Sequence, residues 1–389
     1  MDKTDPICGM KGTIQAHGHF FCSEHCIKKY EKDHGIKPEK ISCPSCEHKH
    51  KVPWYKERLY IITIIAIVLV MISYFVDELN PFFAAFKEYF LLIWWAILLG
   101  FIIGGIIDYF IPREYIEKYL SRHQKRTILY AIVFGFLMSA CSHGILAIAM
   151  ELYKKGASTS AVIAFLLASP WANLPITILL FGFFGFKALL VVISALLIAI
   201  TTGLIYQKLE RKGWVECDKC KSGEDYLILT DFSIIKDIKR RWKNYEFTKN
   251  NVKTAVKGTL QGSWALTKMV MWWLIIGMIM ASVARVIAMQ YHELFMMYMG
   301  PTVLGLLVTL FFATIIEVCS EGSSPLAFEI YNQTRAFGNS FTFLMAGVAT
   351  DYTEIGLIWH NIGRKAAIWL PLITVPQILI LGYLFNLFI

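Results

Sequence analysis

The chain has 389 residues, 56% of them hydrophobic and 17% charged, with a formal charge of +9. That is too apolar for an ordinary soluble domain, and apolar runs of about 20 residues, the length that crosses a bilayer, recur along it. The surplus of Lys and Arg falls in the connections between those runs, where it sets orientation; it is not the footprint of a nucleic-acid binder.

Residues 1–35 read as a small metal-binding module. Cys8 stands in Asp5-Pro-Ile-Cys-Gly-Met10, and Cys22 and Cys26 stand in Phe20-Phe-Cys-Ser-Glu-His-Cys-Ile-Lys-Lys-Tyr30. This pattern resembles the YHS/TRASH family of small heavy-metal-binding modules. The resemblance implies zinc or copper on Cys8, Cys22 and Cys26, with His17, His19 or His25 completing the shell, or else a purely structural zinc knuckle. A linker, 36–58, adds Cys43 and Cys46 as Cys-Pro-Ser-Cys. Cys217 and Cys220 repeat the spacing as Cys-Asp-Lys-Cys in a second linker, 209–263. Two thiolates separated by two residues reach one tetrahedral zinc at about 2.3 Å. The four thiolates make either one closed zinc site or two separate pairs.

Nine apolar segments follow: Leu59–Val76, Tyr89–Ile111, Thr127–Met150, Thr159–Phe186, Ala188–Tyr206, Leu266–Ile287, Thr302–Glu317, Ser340–His360 and Ala367–Leu387. Residues 1–58 carry 11 Lys/Arg, 207–262 carry 13, and 112–126 carry Arg113, Lys118, Arg122, Lys125 and Arg126. All three regions are expected on the cytoplasmic side. Three apolar segments separate the last two, so three full crossings would end on the wrong side and one segment should be re-entrant. The chain could turn at Ala168-Ser-Pro-Trp-Ala-Asn-Leu-Pro175 or at Cys141-Ser-His-Gly144, since Pro and Gly both weaken a helix. Nine simple spans with parallel repeats is the competing arrangement.

Cys141-Ser-His-Gly144 recurs, without a gap, as Cys319-Ser-Glu-Gly322, and the register holds beyond the motif: Glu151 falls on Glu329, Tyr153 on Tyr331, Phe165 on Phe343 and Ala168 on Ala346. At the same offset His143 falls on Glu321 and Asn173 on Asp351. A duplicated, interrupted membrane unit is the signature of a secondary transporter whose substrate binds where the repeats meet. Candidate substrate-binding residues are Cys141, His143, Asn173, Glu317, Cys319, Glu321, Asp351 and Glu354. Paired thiols beside carboxylates and an imidazole suit a soft metal ion or trivalent arsenic. The carboxylates can exchange protons, and buried carboxylates in a bilayer are usually functional. Glu151 and Glu329 read as helix-end residues facing water.

These segments also resemble the predicted-permease family that includes the ArsP-type organoarsenical efflux permeases. The resemblance is carried by Cys141-Ser through Lys155-Gly-Ala157, Ala164-Phe-Leu-Leu-Ala-Ser-Pro170, Glu317-Val-Cys-Ser-Glu-Gly322 and Phe343-Leu-Met-Ala-Gly-Val-Ala-Thr-Asp-Tyr-Thr-Glu-Ile-Gly356. It implies a multi-pass inner-membrane permease exporting methylated trivalent arsenic or copper/zinc. Many relatives carry a second cysteine where this chain has His143, which favours a metal cation over a three-thiol arsenic site.

The expected fold is an all-α polytopic membrane protein of two inverted repeats (59–208 with one extra N-terminal helix, and 264–389) with broken or re-entrant helices, plus the Cys-rich N-terminal module. The expected function is proton-coupled export of a soft metal or metalloid across the cell membrane, with the N-terminus cytoplasmic. The partners are that substrate and the lipid bilayer, without nucleic acid, and a homo-oligomer is compatible with such a chain. No GxxxxGK[ST] loop is present, so an ATPase is not expected. The alternatives are a transporter of a small sulfur-containing or other anion and a thiol-based membrane redox protein.

Overall fold

A computed structural model describes residues 14–17, 19–21, 30, 57–110, 125–137, 142–154, 157–216, 249–316 and 320–389. The chain divides into two compact units, Met1–Glu57 and Arg58–Ile389. In the first, β1 (Ile14–Ala16) pairs antiparallel with β2 (His19–Phe21), Ile14 opposite Phe21. His17 makes the turn with a positive φ of 49°. Its ring stacks on Tyr30 at 6.3 Å, and His19 lies 5.5 Å from the same ring.

The second unit is all helix where described: α1 (Arg58–Phe75), α2 (Asn80–Phe110), α3 (Lys125–Leu137), α4 (Ser142–Lys154), α5 (Thr159–Ala172), α6 (Leu174–Phe184) and α7 (Ala188–Arg211). Then come α8 (Lys249–Gln290), α9 (His292–Met299), α10 (Val303–Ile316), α11 (Ser320–Thr334), α12 (Phe337–Thr350), α13 (Tyr352–Asn361) and α14 (Arg364–Phe388). Five stretches (58–75, 77–106, 159–211, 255–290 and 364–388) are long and apolar enough to cross a bilayer, and α9 with α10, bent by 93°, makes a sixth. The long stretch 159–211 folds back on itself. The unit is therefore a multi-pass membrane protein whose outer helix faces expose Ile, Leu, Val and Phe to lipid.

The duplication extends to the helix boundaries. Lys125, Ser142, Thr159 and Leu174 begin α3 to α6; Val303, Ser320, Phe337 and Tyr352, their counterparts at the repeat offset, begin α10 to α13. The equivalent helices α5 and α12 form the centre. Every residue of α5 is buried, and in α12 every residue except Thr350. Both mix small and apolar residues on all sides, so neither has a polar face to offer water. At 14 residues each they span only about 21 Å, too short to cross the hydrocarbon alone.

Close contacts fix the helix directions. Gly203 on α7 lies against both Ile128 and Ala164, and Gly135 against the main chain of Phe165 and Ser169, so α3 and α5 run parallel. Ser160 bonds Glu210 through both its N–H and its hydroxyl, which makes α5 and α7 antiparallel. Because α3 and α5 start at one level and point the same way, the intervening α4 must return, and the chain reverses between α3 and α4. α3 and α4 thus run in opposite directions, whereas the Asn173 break interrupts a helix without reversing it. The second repeat has the same geometry. Asn339 donates to the carbonyls of Met299 and Gly300 at the start of α10, and Thr314 pairs with Thr350 at the other end, so α10 and α12 are parallel.

Equivalent helices also pack against one another, and they do so antiparallel. Arg285 of α8 meets Glu88 of α2, while Ser263 of α8 meets Gly105 of α2. Gln377 of α14 bonds Thr202 of α7 at 3.1 Å, and the Tyr206 hydroxyl donates to the Ala366 carbonyl at 2.6 Å. Another pair of contacts between halves is reciprocal: α6 touches α11, and its counterpart α13 touches α4.

Candidate functional site

Both helix breaks are capped by the side chain at the break. Asn173 is extended (ψ 159°), and its Oδ1 accepts the Ile176 N–H at 2.8 Å, with Pro175 in the first turn where its missing donor costs nothing. Asp351 Oδ1 accepts from the Thr353 N–H and the Thr353 hydroxyl, both at 2.7 Å. Two half-helices, α6 and α13, therefore begin inside the packed centre and direct the positive ends of their dipoles there.

Glu321 enters from the other repeat. It is 4% exposed on the first turn of α11, where Ser320 Oγ donates to its Oε2 at 3.2 Å. The α11 start, Ser320-Glu-Gly-Ser-Ser324, is small and buried because α8 crosses it backbone to backbone: a Cβ on Gly277 would stand 1.9 Å from the Gly322 carbonyl oxygen. Asn173 and Glu321 line one cavity of about 20 Å³, walled by Ala96, Gly100, Pro175 and Leu274, with room for about one water. Ala96 and Leu274 are themselves equivalent positions of the two repeats, so the cavity lies where the halves meet.

Asp351 and Glu354 stand together at the start of α13, and Glu354 is 1% exposed. This helix packs on α4, whose second residue is His143. The His143 and Glu151 side chains lie outside the described residues, as do Cys141, Glu317 and Cys319, which sit in the α3–α4 and α10–α11 connections. Cys8, Cys22, Cys26, Cys43, Cys46, Cys217 and Cys220 also lie outside them. Among the described residues no group of three or more His, Cys, Asp or Glu side chains is placed to hold a metal ion.

One expectation is overturned. Glu329 does not face water: it is fully buried and receives four hydrogen bonds. Arg285 gives it a two-pronged bond, Nε to Oε1 at 3.0 Å and Nη2 to Oε2 at 2.9 Å. Gln333 Nε2 donates to Oε1 at 2.6 Å, and the Tyr89 hydroxyl donates to Oε2. Arg285 also reaches the partly exposed Glu88 through Nη1 and lies 4.9 Å over the Tyr89 ring. The cause is the helix position: Glu329 sits mid-α11, on the face turned to α8. The sequence signal for this cluster was the Arg inside Ala281-Ser-Val-Ala-Arg-Val-Ile287, an intramembrane charge that calls for a partner.

Interrupted helices meeting around buried polar groups in an apolar multi-pass bundle define a membrane permease. Residues 78–387 match the family described as "Predicted permease" (ArsP_1), and the chain belongs to that family. Among similar proteins, UPF0718 protein YcgR of Bacillus subtilis is 35% identical over 77 residues, 20% of this chain and 26% of the relative. A putative two-component membrane permease complex subunit of Streptococcus mutans is 29% identical over 112 residues, 28% of this chain and 37% of the relative. UPF0718 protein YraQ of Escherichia coli is 28% identical over 134 residues, 33% of this chain and 38% of the relative. The chain thus aligns with roughly a quarter to two fifths of the length of these relatives. No solved structure matches the chain.

Proposed function

We propose that the chain is a proton-coupled secondary permease that exports a soft metal ion or metalloid, built as two inverted repeats. The observation that carries this reading is the antiparallel packing of equivalent helices, α2 on α8 and α7 on α14. If those helices cross the bilayer, the two-fold relating them lies in the membrane plane, the arrangement of an inverted-repeat transporter. Each repeat then has three crossings and one hairpin: α2, the broken α5–α6 and α7, with α3–α4 re-entrant in the first. The basic connections 112–126 and 207–262 fall together on one face, taken as cytoplasmic.

Cys141 and Cys319 immediately precede α4 and α11, so each marks the inner end of a hairpin entering from an opposite face. There the two thiols replace the hydration shell of a thiophilic ion. Asn173, Glu321, Asp351 and Glu354 line the breaks on either side; the three carboxylates offset its charge and exchange the coupling proton, the Asn173 amide offers only a neutral oxygen, and Glu317 and His143 lie next to the thiols in the sequence. The N-terminal module, with zinc or copper on its cysteines, presents or senses the substrate on the cytoplasmic side.

The test is resistance of a strain lacking this protein, complemented with wild type, Cys141→Ser or Cys319→Ser, across copper, zinc, mercury, arsenite and methylarsenite. Wild type should restore resistance to at least one, and each serine variant should lose it, because an alcohol is a far poorer soft-ion ligand. Equal resistance from all three proteins overturns the paired-thiol reading. A second reading has its own support: α4, α6, α11 and α13 all begin at the breaks, and half-helix N-termini favour anions. Saturable uptake of a small sulfur oxyanion, unaffected by the serine changes, selects it instead.

A further inference from the structure

We infer that Arg285, Glu329, Glu88 and Tyr89 form a gate that holds the permease closed on the face opposite its basic connections. This rests on the inverted-repeat reading above and adds a direction to it. Arg285 lies in the last turns of α8, and Glu88 and Tyr89 in the first third of α2, so the three sit toward the same end of the antiparallel pair. Glu329 belongs to α11, the returning arm of the second hairpin. The cluster therefore joins α2 of the first repeat, through Glu88 and Tyr89, to the packed α8 and α11 of the second, the same α11 that carries Glu321 into the cavity.

The join is strong for a physical reason. Glu329 is fully buried, and Arg285 engages it through both oxygens. Removing either partner leaves an uncompensated charge in a low-dielectric setting, which costs far more than breaking an exposed pair. Apolar packing reinforces the same end. Phe183 lies 5.2 Å and Phe184 5.7 Å from Phe328, one residue before Glu329, and this fastens the α6 end of the first repeat to α11.

The sequence does not repeat Arg285, Tyr89 and Glu88 at the opposite end of the path. The duplication gives each gate position a counterpart at the repeat offset. Glu329 keeps its carboxylate counterpart, Glu151. Arg285, however, corresponds to Ile107, Tyr89 to Thr267 and Glu88 to Leu266. Neither a cation nor a phenol stands at those three positions. Phe184 and Phe328 correspond to Ile362 and Met150, which removes the aromatic clasp as well. Among the described residues this charge clamp stands at the end where α8 packs on α11, and it biases the resting protein toward closure at that end. The path then opens toward the basic face, the side on which an exporter collects its substrate.

Hydrogen–deuterium exchange of the full-length protein in lipid nanodiscs tests the gate without reference to substrate. In Arg285→Gln and Glu329→Gln, amides of α6 and α11 should exchange roughly tenfold faster or more, as expected when a local opening loses a buried ion pair. Amides of α4 and α13, at the other end, should be unchanged or slower, because the two ends open alternately. Tyr89→Phe removes one hydrogen bond and keeps the ring, and should show the same one-sided pattern at smaller amplitude if the charge variants fail to fold. A charge swap, Arg285→Glu with Glu329→Arg, should restore protection. Faster exchange at both ends alike, or none in any variant, overturns the gate and leaves the cluster as packing. One-sided exchange in a protein that moves no substrate keeps the gate and refutes the permease cargo proposal; metal export with unaltered exchange does the reverse.

Discussion

Asn173 and Asp351 occupy equivalent places in the two repeats and do the same work. Each ends a buried half-helix and caps the next, Asn173 by accepting from the Ile176 N–H at 2.8 Å and Asp351 from the Thr353 N–H at 2.7 Å. Their chemistry differs where their geometry agrees. Asn173 is neutral and shares its cavity with the carboxylate Glu321, while Asp351 brings a carboxylate of its own and is followed by Glu354 in the first turn of the helix it caps.

Alanine at either cap should therefore destabilise the membrane unit by about 1 kcal/mol, the usual cost of losing a helix N-cap. Asn173→Asp keeps the cap but sets a second carboxylate beside Glu321. It should unfold at a lower temperature than wild type above neutral pH and recover on acidification, as protonation removes the repulsion. Tryptophan fluorescence during thermal unfolding at two pH values reads both effects.

The α8–α11 crossing depends on two glycines. Gly277→Ala forces a methyl against the Gly322 carbonyl, 1.9 Å from the ideal Cβ, and neither backbone can yield alone. A loss of about 1–3 kcal/mol is expected for such overpacking. Gly356→Ala is the control, since nothing lies within 4 Å of its Cβ, and it should be neutral or slightly stabilising. Detergent-solubilised yield and melting temperature distinguish them.

Glu216 caps α14 from a distance in sequence. Its carboxylate accepts the N–H groups of Lys365 and Ala366, both at 3.1 Å, and its own carbonyl accepts from Thr159 Oγ1 at 2.9 Å. Glu216→Ala should cost about 1 kcal/mol, and Glu216→Gln less than half of that, because an amide oxygen still accepts. Unfolding midpoints of the two variants, compared in low and high salt, test this; only the wild-type protein should lose stability with added salt.

The N-terminal unit is compact by itself, so its metal chemistry should be separable. Changing Cys8, Cys22 and Cys26 together to serine should lower the zinc or copper bound per chain while the helical signal and melting of the membrane unit stay unchanged. Elemental analysis of the purified protein gives the first quantity and circular dichroism the second. Unchanged metal content refutes the assignment.

Much of this was legible from local spacing. Apolar runs give the membrane helices, Pro and Gly mark the interruptions, and an ungapped register between the two halves gives the duplication, down to helices that begin at matching positions. Asn173 and Asp351 could be singled out because one falls on the other at the repeat offset and a carboxylate inside an apolar segment is unusual. Glu329 could not be placed correctly. Whether a carboxylate in the middle of a short helix meets water or an arginine depends on Arg285 of another helix, and no periodicity within α11 encodes that.

The sequence by itself thus determined which segments are apolar, where they break and that the unit occurs twice, because each depends on residues a few positions apart or on identity at one fixed offset. Only the tertiary structure decided where the chain reverses: Cys141-Ser-His-Gly144 and Ala168–Pro175 are equally able to interrupt a helix. The choice rests on Gly135 fitting against Phe165 and Ser169, and on Gly203 fitting against both Ile128 and Ala164. It likewise decided that Asn173 and Glu321 line one cavity and that Arg285 meets Glu329. Those meetings join helices that are far apart in the chain, and the packing of small residues at their crossings, not any local preference, sets which faces come together.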